Sequence, residues 1–281
     1  MIVAVTAVTG QLGSHIAKAL VGMNTREPIV GLARSPQKAT GLGLDVRPGD
    51  YDKLDQLKAS LTGVDTLLLV SGMDAPDARI VQHRNVITAA EAAGVKKIVY
   101  TSVQGAEEGT SFSPIIQSNR QTEADIRASG LDWVIGRNGI YIEPDVEYID
   151  TYRNAGEIAN CAGDGKCGYT TRSELAQAYA SMLMGAHHNG QAYNLHGAAL
   201  TQTELADHMN RAFGTDLTYR AMSVEDYKAD RVAELGEFIG TVIAGIYQGI
   251  RIGALDNPSD YEAAAGRPHQ SWDDYFSALA T

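Results

Sequence analysis

Short apolar runs rich in β-branched residues alternate with stretches of helical periodicity along the first half of the chain. Ile2 to Val8 reads as a strand, Gly13 to Val21 as a helix, Ile29 to Ala33 as a strand and Lys53 to Leu61 as a helix. The rhythm continues with strands at Thr66 to Val70, Lys97 to Thr101 and Trp133 to Gly136, separated by helices at Asp77 to Ala93 and Ile115 to Ser129. Strands that are apolar throughout are buried on both faces, which predicts a parallel sheet covered by helices on either side. The expected class is α/β, doubly wound. The spacers carry matching punctuation, with Glu27-Pro28 ahead of one strand and Gly94 and Gly130 closing two helices.

After Ile140 the rhythm changes to an acidic, tyrosine-containing segment, Glu143 to Tyr152, and then a glycine-rich loop. The expected division is a first domain over 1–140 and a smaller one over 141–281. In the second part, Thr171-Arg-Ser-Glu174 and Thr201-Gln-Thr-Glu204 read as capping boxes that start helices, and Gln191 to Leu195 reads as a strand between them. Gly236, Gly240, Gly245, Gly249 and Gly253 recur in an apolar stretch. They fit either a closely packed helix or a flap over a cleft.

Composition narrows the class of function. Of 281 residues, 44% are hydrophobic and 20% charged, the usage of an ordinary folded domain. The net charge of −11 argues against a nucleic-acid partner, which would need clustered Lys and Arg. The excess is uneven: 14 basic and 14 acidic residues lie in Met1 to Ile140, against 9 and 20 in the remainder. An anionic cofactor fits the neutral half better. The N-terminal apolar run lacks a basic leader, and Phe238 to Ile252 is interrupted by Gln248 and Arg251, so no membrane anchor is expected. Cys161 and Cys167 are too few for a disulfide framework and read as free thiols in a reducing cytosol, with a cytoplasmic location expected.

The chemistry begins at Thr6-Ala-Val-Thr9-Gly10-Gln11-Leu12-Gly13-Ser-His, where the first strand runs into a helix. Gly10 lets the backbone approach a pyrophosphate, Gly13 lets the helix pack on the strand, and the helix amides meet the negative charge. Ala7 stands where the dinucleotide fingerprint has its first glycine. About 20 residues beyond the glycine turn, where an acidic residue would select NAD, the sequence has Arg34 and Lys38, which suit a 2′-phosphate. NADPH is therefore the expected cofactor, with NADH the alternative. Gly49-Asp50-Tyr51 places a carboxylate near an adenine amino group or else forms an exposed turn. Ser71-Gly72 and Thr101-Ser102 end adjacent strands, on the rim where open α/β sheets bind ligands.

Together with Gln82-His-Arg-Asn-Val86, Ala92-Ala-Gly-Val95, Tyr100-Thr-Ser102, Arg137-Asn-Gly139, Ala162-Gly-Asp-Gly-Lys166 and Tyr193-Asn-Leu195, these motifs resemble the NmrA-like, atypical branch of the short-chain dehydrogenase/reductases. Within that branch the chain looks most like type 2 NAD(P)H:quinone oxidoreductases and triphenylmethane reductases. The resemblance implies a Rossmann domain, a smaller C-terminal α/β domain to which part of the later chain does not belong because it returns to the first, and a cleft between them. It also implies that Asn138, Ile140 and Tyr141 edge that cleft as substrate contacts.

Ordinary members of the superfamily protonate the substrate with a Tyr activated by a Lys four residues on. None of the 13 tyrosines has that lysine, and none occurs between Lys97 and Lys166. The expected reaction is hydride transfer to a quinone or similar conjugated small molecule, with Tyr141 or Ser102 lending a hydrogen bond. A homodimer is compatible with this. The rival is a non-catalytic redox sensor that binds the dinucleotide and reports to a partner. No P-loop, H-E-x-x-H or G-x-S-x-G motif occurs, His187-His188 reads as a solvated turn and His83 as part of a packing or polar network, so no metal is expected.

Overall fold

A computed structural model of the chain describes residues 1–23, 25–39 and 41–280; residue 281, the end of the second expected domain, lies outside the described residues. The first half builds β1 (Val3–Val5), α1 (Gln11–Gly22), β2 (Ile29–Ala33), β3 (Asp45–Pro48), α2 (Leu54–Ser60), β4 (Thr66–Leu69), α3 (Pro76–Ala93), β5 (Lys97–Val103), α4 (Ser113–Ala128) and β6 (Asp132–Asn138). The chain continues through β7 (Ile140–Tyr141), α5 (Glu143–Glu147), α6 (Ile149–Ala155), β8 (Glu157–Asn160), β9 (Tyr169–Thr170), α7 (Arg172–Met184) and β10 (Gln191–Leu195). It ends with α8 (Gln202–Phe213), β11 (Thr218–Ala221), α9 (Val224–Leu235), α10 (Glu237–Arg251), α11 (Tyr261–Ala265) and α12 (Trp272–Leu279).

Seven strands form a parallel sheet in the order β10-β6-β5-β4-β1-β2-β3. Strand residues alternate between its faces, as a period of two requires. Val3, Val5, Leu68, Val99 and Val134 pack under α1 and α7. Ala4, Leu67, Leu69, Ile98 and Ile135 pack under α2, α3 and α4. Each large side chain so buried contributes about 1.5 to 3 kcal/mol. The order reverses between β1 and β4, which opens a crevice beyond the strands' carboxyl ends, as in other doubly wound sheets.

Three elements from beyond Ile140, α7, β10 and α11, belong to this layered body. The Tyr179 hydroxyl on α7 shares its one proton between Asn138 Oδ1 at 2.6 Å and the Gly136 carbonyl at 3.0 Å, which locks the helix over β6. A Cβ on Gly136 would overlap the Tyr179 ring and come within 2.7 Å of Leu195, so glycine is needed for that contact. The remaining later elements surround a separate apolar cluster of Ile142, Ile158, Tyr169, Leu205, Met209, Ile250, Trp272 and Phe276, with the short pairs β7–β9 and β8–β11 at its edges.

Several expected elements differ in detail. The first strand ends at Val5 rather than Val8, because the backbone at Ala7 turns left-handed. The Thr171 box closes on one side only: its hydroxyl accepts from Glu174 N at 3.0 Å, while the Glu174 carboxylate is drawn away by Arg267 at 2.8 Å. The Thr201 box is complete. The repeated glycines serve packing and turns. Gly240 lies against the backbone of Arg231 and Val232 on α9, Gly245 against Phe112, and Gly236 and Gly253 have positive φ. Among the described residues no helix is long and apolar enough to cross a membrane.

Candidate functional site

The crevice is built around the turn after β1. Ala7 has a φ of +52°, a left-handed conformation found at no other non-glycine position among the described residues. Its Cβ costs roughly 1 to 2 kcal/mol there. The bend is held by Gly10 N donating to the Ala7 carbonyl at 2.8 Å and Val8 N donating to the Leu32 carbonyl at 3.2 Å. Gly13, in the first turn of α1, lies so close that a Cβ would overlap the Ala7 carbonyl oxygen. The helix can therefore start directly above the strand only with glycine at that position.

Gly10 is the N-cap of α1 and supplies no side chain, and the first turn holds no acidic residue. The first amides of a helix have no intrahelical partner, and here they carry the positive end of its dipole without a built-in anion. Thr9, Gly10 and Gln11 are exposed on this lip, while Leu12 and Gly13 are buried beneath it. At the end of β2, Arg34 is exposed and forms no ion pair among the described residues, and Lys38 follows in a short helical turn. An uncapped helix start, with two cations one strand away that form no ion pair among the described residues, is a donor set suited to a phosphorylated dinucleotide.

Other residues expected at the cofactor lie under the rim rather than on it. The Thr6 hydroxyl is buried, hydrogen-bonded to the Tyr51 hydroxyl, and accepts from Val70 N at 2.9 Å. Tyr51 donates to the Val70 carbonyl at 2.8 Å, and burial raises its pKa. Thr101 Oγ1 accepts from Ser71 N at 2.8 Å. These groups tie the ends of β1, β3, β4 and β5 together. The Asp50 carboxylate organises its own turn, accepting from Asp52 N at 3.2 Å and pairing with Lys53 at 3.4 Å.

Gly72 N donates to His83 Nε2 at 3.0 Å, and Nδ1 lies 2.9 Å from Thr122 Oγ1. Because Nε2 accepts, Nδ1 carries the proton. His83 stands edge-on to Tyr51 and Tyr100, and burial, with help from Arg79, pushes its pKa down to about 3. It is a neutral strut of the rim.

On the far side, Tyr141 is half-buried at the β7–β9 pair, with Arg172 5.0 Å from its ring centre. Burial pushes the Tyr141 pKa up to about 12, against the pull of Arg172 and Asn138. Asn138 itself is buried, its carbonyl taken by Tyr179. Ile140 precedes Tyr141 on the same short strand. Ser102 faces elsewhere: its hydroxyl donates to Glu123 Oε1 at 2.7 Å and accepts from Arg120 at 3.1 Å. Burial opposes ionisation of Glu123, yet Arg137, Arg120 and Ser102 hold its carboxyl below the usual range. The sequence reading missed Arg172, whose only visible signal was its place in a helix start, and Arg79, which carries no motif. Among the described residues no group of His, Cys, Asp or Glu is placed to hold a metal ion.

Comparison with known proteins points to the same class of cofactor. Residues 8–184 match the model of a family described as NAD(P)H-binding. Quinone oxidoreductase 2 of Escherichia coli (strain K12) is 37% identical over 231 residues, 81% of this chain and 80% of that protein. A crystal structure of an NADPH-dependent quinone oxidoreductase from Escherichia coli, complexed with NADPH, superposes with a TM-score of 0.91 at 32% identity over 100% of both chains. Triphenylmethane reductase of Citrobacter sp. superposes with a TM-score of 0.90 at 32% identity, covering 100% of this chain and 99% of the other.

Two substitutions test the construction of the rim. Ala7→Gly removes the left-handed penalty and should stabilise the protein by about 1 kcal/mol in urea unfolding, the entropy of the added glycine offsetting part of the gain. A free imidazole takes a proton near pH 6.5, whereas the folded His83 resists until about pH 3. The unfolded chain therefore binds the extra proton within that window, and stability falls as pH drops through it, by up to about 1.4 kcal/mol per pH unit. His83→Gln keeps an acceptor near Nε2 without a titrating group, and should flatten that slope when urea midpoints are compared at pH 6.5 and 4.5.

Proposed function

The chain belongs to the NAD(P)H-binding family, and from that premise we propose that it is an NADPH-dependent oxidoreductase that reduces quinones or similar flat conjugated acceptors. The observation that carries the cofactor half is the uncapped α1 start over a glycine-lined bend, with Arg34 and Lys38 exposed one strand away and in no ion pair among the described residues. In this reading Thr9, Gly10, Gln11, Leu12 and Gly13 cradle the pyrophosphate. Arg34 and Lys38 receive the 2′-phosphate, and Asp50, Ser71 and Gly72 border the dinucleotide. Thr6, Tyr51 and Thr101 hold that border from beneath through the hydrogen bonds described above.

Reduced nicotinamide, when bound, would supply a hydride carrying both electrons, and the single proton that completes a hydroquinone product would come from water. The chain's own contribution is to position and to exclude solvent, since orientation alone supplies much of a rate of this kind. Asn138, Ile140 and Tyr141 form the acceptor side. With its pKa raised, the Tyr141 hydroxyl keeps its proton and serves as a neutral hydrogen-bond donor, steadied by Arg172. Ser102 contributes to the strand framework through Glu123 rather than to the reacting atoms. The layered body, completed by α7, β10 and α11, serves the cofactor, and the smaller body carries the other wall.

Mixing the protein with NADPH and a panel of quinones in a stopped-flow instrument tests the activity through loss of nicotinamide absorbance. Tight binding without acceptor-dependent oxidation would instead leave the redox sensor. Arg34→Ala should weaken NADPH by about 1.5 to 3 kcal/mol, the worth of a charge-assisted hydrogen bond, and leave NADH nearly unchanged in calorimetric titration. Equal losses would place the 2′-phosphate elsewhere. Tyr141→Phe removes one neutral hydrogen bond and should lower kcat/KM by about 3- to 10-fold. Because Tyr141 stays protonated to about pH 12, kcat/KM of the parent protein should be level from pH 6 to 9.5.

A further inference from the structure

Arg79 lies one turn into α3, with 5% of its surface exposed. Its Nε is fully enclosed without a partner, and among the described residues its side chain makes no hydrogen bond or ion pair. Asp74, the acidic group whose charge reaches it, is held by Gln82 and lies beyond salt-bridge range. Burial lowers the guanidinium's affinity for its proton, with Tyr100 and Asp74 acting against that shift. A buried charge without a counter-ion is costly, and most such groups are paired. In this fold the cost falls at the ligand rim. A Cβ on Gly72, at the carboxyl end of β4, would sit 3.9 Å from Arg79 Cγ, and the N-cap of α3 has no side-chain hydrogen bond.

We propose that Arg79 is the counter-ion for an anionic substituent, a carboxylate, sulfonate or phosphate, carried by the acceptor. This rests on the oxidoreductase reading above and adds a substrate class to it. The phosphates of the dinucleotide have other receivers, the α1 amides and the pair Arg34 and Lys38, which leaves Arg79 unclaimed. The loop between β4 and α3 also turns Met73, the neighbour of Gly72, outward, 90% exposed, which sets an apolar, polarisable side chain next to the glycine that the Arg79 stem approaches. That pairing fits a flat ring bearing an anionic group. With a net charge of −11, the protein would repel such an acceptor without a local cation.

The test compares 1,2-naphthoquinone with 1,2-naphthoquinone-4-sulfonate as acceptors, in wild type, Arg79→Met and Arg79→Lys. The sulfonate-to-parent ratio of kcat/KM should fall about 10- to 100-fold in Arg79→Met, and Arg79→Lys should recover part of it. An unchanged ratio overturns the proposal. So does a rise in the NADPH dissociation constant of Arg79→Met that leaves the ratio intact, since the guanidinium would then serve the cofactor. If neither quinone is reduced by wild type, the oxidoreductase reading has failed, and calorimetry of 1-naphthalenesulfonate on the NADP⁺-loaded protein still decides. Binding lost in Arg79→Met upholds the anion site, and equal or absent binding sinks it. Arg79→Met should also raise Tm, because it removes an unpaired buried charge; a large fall in Tm would mark Arg79 as a packing residue and overturn the assignment.

Discussion

The left-handed bend at Ala7 is where the sheet, the first helix and the cofactor cradle meet. A methyl group sits there in a conformation that glycine adopts freely, and the chain tolerates it because the surroundings over-determine the backbone. The amides of Val8 and Gly10 are tied down on either side, and the start of α1 presses on the Ala7 carbonyl through Gly13. Relaxing the bend would lift the helix off the strand and move its first amides away from the crevice. Local strain is thus coupled to the placement of the groups that meet the pyrophosphate.

Beneath that lip runs a layer of buried hydroxyl and imidazole groups whose hydrogen bonds are satisfied within the protein. Thr6, Tyr51, Thr101 and His83 each link the ends of two elements, and Ser102 joins the cluster in which Glu123 faces Arg120, Arg127 and Arg137. Such satisfied networks specify one arrangement of strand ends. They also separate the residues that hold the rim in shape from those left exposed to a ligand. Arg79 departs from the pattern because it is buried like the first group and unpaired like the second.

Much of the layered body was legible in the chain. Continuous apolar runs gave five of the seven parallel strands, β1, β2, β4, β5 and β6, and the glycine pattern gave the turn after β1, because both depend on local spacing, whereas polar β3 carries no such run. The same reasoning carried the strand too far, to Val8, since hydrophobicity does not report the sign of φ at Ala7. It could place Thr6, Thr101 and Ser102 at strand ends but not say which way their hydroxyls point. That depends on partners 21 to 64 residues away, such as Val70 for Thr6 and Glu123 for Ser102. Arg172 over Tyr141 and the loss of Glu174 to Arg267 are likewise products of packing between distant segments. The two-residue strands β7 and β9 are too short to show any period, and β11, mostly exposed, carries no apolar run.

The chain passes repeatedly between the two bodies: from β6 into β7, from β9 into α7, from β10 towards α8, and from α10 through α11 to α12. Gly139 and Gly168 mark how tightly two of these passages touch, a Cβ on the former overlapping the latter's carbonyl. Asn257 reaches Gln104 at 3.1 Å, and Arg267 and Gln270 clasp Glu174. A clamshell motion needs one or two pliant connections, whereas here each passage braces the rest. Opening one body away from the other would strain these passages together, which favours motion of the surface loops at the mouth, on a nanosecond-to-microsecond scale, over the slower motion of hinged domains.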